Sequence, residues 1–495
     1  MTVTARETQR SAEALPEQDV PAGGIMHSVR VYPAFRLLML GTLASNTAFW
    51  MYQVAVGWLA LQLTDSPFFV AMAGFVGGIP LLLVSLPAGV IIDRFDRRTV
   101  LLAAQLGAML VAGVFAFLVG TGSIGRASML VLVATYGTMM SFVFPTRTTI
   151  VPSLVERRDM ANAVALNSAS QNATRVVGPS LAGVLIGLLG VAETFAVAAA
   201  LQALALVTTA RLPPQIPGAS SKGGTGWSSL TVGLQVVARR PYLVGLIVLA
   251  LAPTVLVMPY INLMPVFARD ELDLGSTGLG VMLASTGLGT VAGSLAVARR
   301  SSSQAGSRGQ IITAAAFAIC VMAFSMTPIV TVALLLLFVA GWMSASFLAL
   351  NQTALQMSVE DDVRGRVFSI YLLTWGMLPI GQLLVGTLAS QVGSPLAMAI
   401  SGLLALASIG AIVWRFSSLR TQGSARQNDL TRGVTPVERE VSRRTAPREL
   451  RGTRRTERDR RSFRRDRCTA SSFWPDADRR GHRCRREPTS GTEPM

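Results

Sequence analysis

Histidine and cysteine are nearly missing from this chain, and acidic residues are missing from the middle of its apolar runs. The two histidines, His27 and His482, fall in the terminal segments, so the apolar body holds no histidine to pair with a nucleophile. Three cysteines, Cys320, Cys468 and Cys484, have no metal-ligand or disulfide spacing, which argues against a zinc or redox role. With no nucleophile–base pair and no ligand cluster in sight, neither an enzyme nor a metal or cofactor is expected. Charge is also thin. Only 14% of the 495 residues are charged while 51% are hydrophobic. With a mean hydropathy of +0.48, that composition excludes a water-facing globule and fits a polytopic membrane protein. The net charge of +17 does not signal nucleic acid, because much of it lies after Arg420 and most of the rest in short loops.

What the sequence does have is long apolar runs. Measured against a bilayer core that a helix of about 20 residues crosses, they give twelve spans, at 35–62, 68–92, 99–120, 127–150, 161–188, 192–210, 241–268, 276–298, 310–327, 329–352, 365–391 and 395–416. The connections are short except for 211–240, where Pro213, Pro214, Pro217 and a Gly-Ser cluster read as a linker between two halves. The expected organisation is a disordered leader over 1–34, a six-helix bundle over 35–210, the linker, a second bundle over 241–416, and a basic disordered tail over 417–495. The leader has no apolar core of the kind a signal peptide needs. The tail either lies on anionic lipid headgroups or is an extension without function.

Basic residues alternate with the loops. Arg94, Arg97, Arg98, Arg157, Arg158, Arg211, Lys222, Arg239, Arg240, Arg299, Arg300, Arg308, Arg364 and Arg366 share one side, and the other has little beyond Asp65, Arg126, Glu193 and the Arg269–Asp273 cluster. Short loops rich in Lys and Arg stay inside, so both termini are expected in the cytoplasm.

The halves repeat. Ala88-Gly89 aligns with Ala292-Gly293 at a shift of 204, Val155-Glu156 with Val359-Glu360 at the same shift, and Gly178 and Gly183 with Gly381 and Gly386 at one residue less. In the second copy Val297 stands where the first has Asp93, so Asp93 is unique. An internal repeat of six-helix halves describes a secondary transporter.

Ionisable side chains inside a bilayer are costly and need a reason. Arg175 lies near the middle of the fifth span. Either it faces a central cavity, meeting an anionic group of a substrate or setting a proton site, or it is structural and bonded to carbonyls. Gly178 and Pro179 beside it supply a kink and a flat packing surface, with Gly183 one turn on. Arg147, near the inner end of the fourth span, is either a partner for Asp93 or an ordinary interface arginine. The start of the eleventh span is a second partner for Asp93, since a helix N-terminus carries partial positive charge. Asn46, Trp50 and Gln53 share one face of the first span, and Asn167, Gln171 and Arg175 repeat every four residues along the fifth. With Tyr371 and Trp375 they make the expected substrate path, although each residue alone also fits simple interhelical hydrogen bonding. A proton carrier would have to be Asp65, Glu193, Asp270 or Asp93, all near span ends.

The spacing Gly89-x-x-x-Asp93-Arg94-x-x-Arg97-Arg98 resembles the signature loop between helices two and three of the major facilitator superfamily. Gly178-Pro179-x-x-Ala182-Gly183 resembles in part the Gly-Pro-x-x-Gly-Gly motif of proton-coupled antiporters, with Ala182 in place of a glycine. Phe35-Arg36-Leu37-Leu38, Asn46-Thr47-Ala48-Phe49-Trp50-Met51, Val54-Ala55-Val56-Gly57-Trp58, Asn162-Ala163-Val164-Ala165-Leu166-Asn167-Ser168 and Asp362-Val363-Arg364-Gly365-Arg366-Val367 are similar to the enterobactin-exporter-like branch, over Phe35 to Phe416. The resemblance implies an all-α membrane protein with twelve transmembrane helices in two pseudo-symmetric bundles. It also implies an exporter of siderophores, drugs or related metabolites in the bacterial inner (plasma) membrane, powered by proton antiport. The expected partners are a small-molecule substrate, protons and the lipid bilayer, with no nucleic acid, and a monomer is expected. Gly89, Asp93, Arg94, Arg97, Arg98 and Arg147 are expected to control the cytoplasmic gate. An importer or uniporter of the same fold, and a receptor that transports nothing, are the rival readings.

Overall fold

The computed structural model describes residues 26–214, 234–299, 307–359, 361–416 and 419, all within one compact unit. The described secondary structure is helical. α1 is a short helix, His27–Val31, and α2 (Pro33–Thr64), α3 (Pro67–Arg94), α4 (Arg97–Gly120), α5 (Arg126–Leu154), α6 (Met160–Leu188) and α7 (Val191–Ala210) are the first six spans. The second set is α8 (Pro241–Leu256) with α9 (Tyr260–Val266), α10 (Gly275–Arg299), α11 (Ser307–Met326), α12 (Val330–Met357), α13 (Asp361–Gly376) with α14 (Leu378–Val392), and α15 (Ser394–Arg415). The expected leader is thus helical at its end, because α1 is pinned by Asn162: its Oδ1 accepts from the Ser28 amide at 3.1 Å and the Ser28 hydroxyl at 2.7 Å. Residues 1–25, most of the linker and nearly all of the tail lie outside the described residues.

Two expected spans are broken, and prolines explain both. The seventh stops at Leu256, where the amides of Val257 and Met258 both turn back onto the Pro253 carbonyl. It resumes at Tyr260 and, past Pro265, ends in a π-turn, Phe267–Glu271. Proline removes an N–H and crowds the preceding turn, so three prolines within thirteen positions cannot carry one straight helix. The eleventh breaks at Met377, between Gly376 and Pro379.

Ten helices are long and apolar enough to cross a membrane. The remaining two membrane-length helices, α2 at 32 residues and α6 at 29, complete the twelve. They carry Asn46, Gln53, Asn167, Gln171, Asn172 and Arg175, and that polarity identifies each as a helix with one face turned to the interior.

Packing follows a pseudo-twofold pattern. In the first half α3 packs on α5, α4 on α5 and α7, and α2 on α7; in the second, α10 packs on α12, α11 on α12 and α15, and α8 on α15. The interface between halves is itself a matched pair, α6 against α10 and α14 against α3. The glycine repeat is its cause. A Cβ on Gly178 would strike Trp50 of α2 and one on Gly381 would strike the Val255 backbone of α8, so these two glycines close each half. A Cβ on Gly183 would strike the Gly280 backbone and one on Gly386 would strike Ala71, so these two bring the halves together. Gly137 and Gly341, also 204 positions apart, let α5 and α12 approach the backbones of α3 and α10.

Candidate functional site

The face bearing the Arg94–Arg98 turn is here the basic face. Among the described residues, contacts between the halves start at the opposite face and stop partway. Along α6, Gly187 meets Thr277, Gly183 meets Gly280 and Val176 meets Gly287. Along α3, Ala71 meets Gly386, Gly74 meets Asn262 and Gln382, Gly78 meets Pro379 and Leu82 meets Gly376. Nearer the basic face the same helices turn exposed side chains outward, Ala165, Ser168, Ala169 and Ala173 on α6 and Val90, Ile91 and Asp93 on α3. Nothing lies within 4 Å of where a Cβ on Gly89 would sit. The halves therefore splay toward the basic face and close at the other.

That closed face is also bridged by charge, through a pairing that the sequence reading did not anticipate. Arg269 in the π-turn reaches across to α2, its Nη1 lying 2.8 Å from Asp65 Oδ1 and donating to the Leu61 carbonyl at 3.3 Å. Asp65 holds a left-handed backbone, φ 48°, as the C-cap of α2, which turns its carboxylate toward the second half. Arg269 also pairs with its neighbour Asp270 at 2.6 Å. The signal was in the sequence, an Arg-Asp-Glu cluster beside a proline-broken span, but its partner is 204 residues away.

The wall of the open cleft follows from helical geometry. On α6, Thr174 and Gly178 face α2, while Val176, Gly183 and Gly187 face α10. Arg175 falls in the sector between these two strips and is exposed there. The remaining sector of α6 exposes Val177, Leu181, Val184 and Leu188, an apolar strip suited to lipid. The Arg175 guanidinium lies 5.9 Å from the centre of the Trp50 ring, a cation–π distance. Gln53 is exposed one turn from Gly57, which packs on Pro265, so it too faces the second half. Trp50, Gln171 and Trp375 are half-buried at the margin.

The other expected path residues sit inside the halves. Asn46 is buried and its Oδ1 accepts from Arg147 Nη1 at 3.1 Å. Arg147, expected beside Asp93, is therefore instead packed between α2 and α5, only 4% exposed. Near it, Tyr136 stacks on Tyr52 at 3.6 Å and its hydroxyl accepts from Gln202 at 3.3 Å. Asn167 is buried on the α2-facing side of α6, and Tyr371 lies in the core of the second half.

The signature turn is largely a structural clamp. Asp96 caps α4, its carboxylate accepting from the Thr99 amide at 3.0 Å and hydroxyl at 2.8 Å. Arg97 donates to the Thr149 carbonyl of α5 at 3.1 Å, and Arg98 donates to the Ala210 carbonyl, the negative end of α7. Both arginines thus tie the first half together. Arg94 and Asp93 are exposed, and among the described residues Asp93 has no ion-pair partner. The side chains at the start of α13 lie outside the described residues.

An apolar groove between α4 and α7, lined by Met109, Val114, Phe117 and Ala203, opens on the lipid side and has no polar group to orient a substrate. Among the described residues no cluster of three or more His, Cys, Asp or Glu could hold a metal.

A family model described as transmembrane secretion effector matches residues 29–448. Among characterised proteins, the chain is 23% identical to the staphyloferrin A transporter of Staphylococcus aureus, over 72% of this chain and 89% of that protein. It is 27% identical to the multidrug efflux pump Tap of Mycolicibacterium fortuitum, over 72% and 89%, and 24% identical to the enterobactin exporter EntS of Shigella flexneri, over 69% and 82%. A solved bacterial homologue of the lysosomal transporter Spinster, inward-facing and unoccupied, superposes with a TM-score of 0.64 at 15% identity, covering 78% of this chain and 98% of that one.

Proposed function

Since this chain belongs to the transmembrane secretion effector family of the major facilitator superfamily, a family of transporters and not enzymes, we propose that it exports a small organic molecule from the cytoplasm by alternating access. The basic face is the cytoplasmic one, with both termini on it, by the rule that Arg-rich short loops stay inside. On this reading the conformation described here is inward-open. The observation that carries it is a pair of pseudo-symmetric halves locked at one face by Gly183 on Gly280 and Asp65 on Arg269, while the polar sector of α6 around Arg175 opens to the other. Substrate enters between α3, α6, α10 and α14, meets Arg175, Trp50 and Gln53, and leaves when the halves rock.

Exporters among its relatives, an enterobactin exporter and a multidrug efflux pump by name, support export and a siderophore- or drug-like cargo. Proton antiport is the proposed drive. The carboxylates available to it stand at the ends of the helices, Asp65, Glu193 and Asp270 at one face and Asp93 at the other. Arg147 moves on this account from the gate to the scaffold behind the path. Efflux from proteoliposomes against a panel of siderophores and hydrophobic drugs, with and without an imposed pH gradient, tests the proposal. Efflux that accelerates with the gradient is the expected result. Transport that follows substrate concentration and ignores the gradient removes the antiport, and vesicles that move nothing remove the transporter.

A further inference from the structure

Two charged side chains stand within the membrane-spanning body among the described residues, Arg147 and Arg175, and both are cations. The carboxylates on the spans lie at their ends. Both cations lean on the same helix. Arg147 donates to Asn46 from inside the first half and Arg175 lies over Trp50 in the cleft, so the two α2 residues they touch are about one turn apart. Arg147 is buried with its second terminal nitrogen, Nη2, lacking a hydrogen-bond partner among the described residues. Among the described residues neither guanidinium has an ion-pair partner.

In the open cleft water can solvate Arg175. When the halves close over a substrate that water is displaced, and a desolvated cation without an anion is heavily penalised. A cationic cargo would add a like charge where the dielectric is low, whereas an anionic one would neutralise the cleft as it closes. We propose, on the basis of the transporter reading above, that the cargo is an organic anion, a molecule whose carboxylate, or an acidic group of similar charge, is gripped by Arg175. The guanidinium is a planar fork suited to two-point contact with a carboxylate. Gln53 and Gln171 add neutral hydrogen-bonding groups at the wall, and the Trp50 ring holds the guanidinium from its other side.

The test uses the full chain, purified in detergent and in proteoliposomes, with three anionic probes, carboxyfluorescein, citrate and 2,3-dihydroxybenzoate, and the cation ethidium. At least one anion should bind saturably, read by tryptophan fluorescence or by competition, and Arg175→Ala should weaken it tenfold or more while Arg175→Lys, which keeps the charge but loses the fork, weakens it less. Circular dichroism and melting of the Ala and Gln variants separate lost binding from lost folding. Three results overturn the proposal: none of the anions binds, Arg175→Ala and Arg175→Gln leave anion binding unchanged, or ethidium binds the wild type better than the anions do. Counterflow in vesicles keeps the two readings apart. Anion binding that depends on Arg175 without any counterflow upholds the anion site and overturns transport, whereas counterflow of ethidium that survives Arg175→Ala upholds transport and overturns the anion site.

Discussion

Arg269→Ala should shift the transporter away from the conformation described here and toward one open at the opposite face. Arg269 makes three polar contacts, of which two cross between halves. The pair with Asp270 joins neighbours on one π-turn, survives any rocking of the halves and contributes nothing to the balance. The pair with Asp65 is short, 2.8 Å, but the Asp65 side chain is 79% exposed, so solvent screening limits it to about 0.2–1 kcal/mol. The bond to the Leu61 carbonyl comes from a charged donor and adds on the order of 1 kcal/mol. Together they hold the closed face by about 1–2 kcal/mol, which corresponds to a roughly 5- to 30-fold change in the ratio of conformers. Spin labels at Gln62 and Leu396, both exposed at that face, would report it by electron–electron double resonance as a longer distance gaining population. The double variant Asp65→Arg with Arg269→Asp should recover most of the wild-type distribution, and 1 M salt should imitate part of the single variant's effect. An unchanged distribution in Arg269→Ala would refute the latch.

Other outcomes follow from the same geometry. Gly183→Val should obstruct closure at the face opposite the arginine turn, because its side chain meets the Gly280 backbone, and so abolish transport, while Gly89→Ala should leave the structure described here intact in melting experiments. Arg147→Met should melt at the same temperature as wild type or higher, since it removes a buried cation whose bond to Asn46 leaves Nη2 unsatisfied; a drop of several degrees would show that the Arg147–Asn46 bond outweighs the burial. Asp93→Asn should express normally and slow export, its exposed carboxylate acting only when the basic face closes, and unchanged rates would remove Asp93 from the gate. Asn162→Ala strips both bonds from Ser28, costing α1 about 1–2 kcal/mol, and should speed amide exchange over 27–31 without altering exchange in α4.

Much of the architecture was legible because a bilayer leaves a chain few choices, and apolar length sets the spans. The glycine offsets in Gly178, Gly183, Gly381 and Gly386 carried more than the repeat. They encode which contact closes a half and which joins two halves, although only coordinates distinguish those roles. Broken helices at Pro253 to Pro265 and at Met377 were missed because hydropathy reads through a proline that still sits in an apolar run. Each polar stripe is divided between the cleft and the interior of the first half. A spacing of four places Asn167, Gln171 and Arg175 near one face, but successive steps drift around the helix, so Asn167 ends against α2 while Arg175 ends in the cleft. Of the two readings open for Arg147, the coordinates show the interface arginine: depth along a span can be estimated from sequence, whereas the direction in which a buried arginine points depends on which neighbour offers an acceptor, here Asn46. The Asp65–Arg269 bridge joins the ends of two spans in different halves, and no local pattern marks such a pair.

The most direct measurement is the sidedness of a single cysteine at Gln171, placed in a chain whose Cys320, Cys468 and Cys484 are replaced, toward a membrane-impermeant thiol reagent. Added from the basic face, the reagent should modify wild-type background protein quickly and from the opposite face slowly, and Arg269→Ala should raise the slow rate several-fold. Equal modification from both faces, or the same slow rate with and without Arg269, would contradict a path opened to one side at a time.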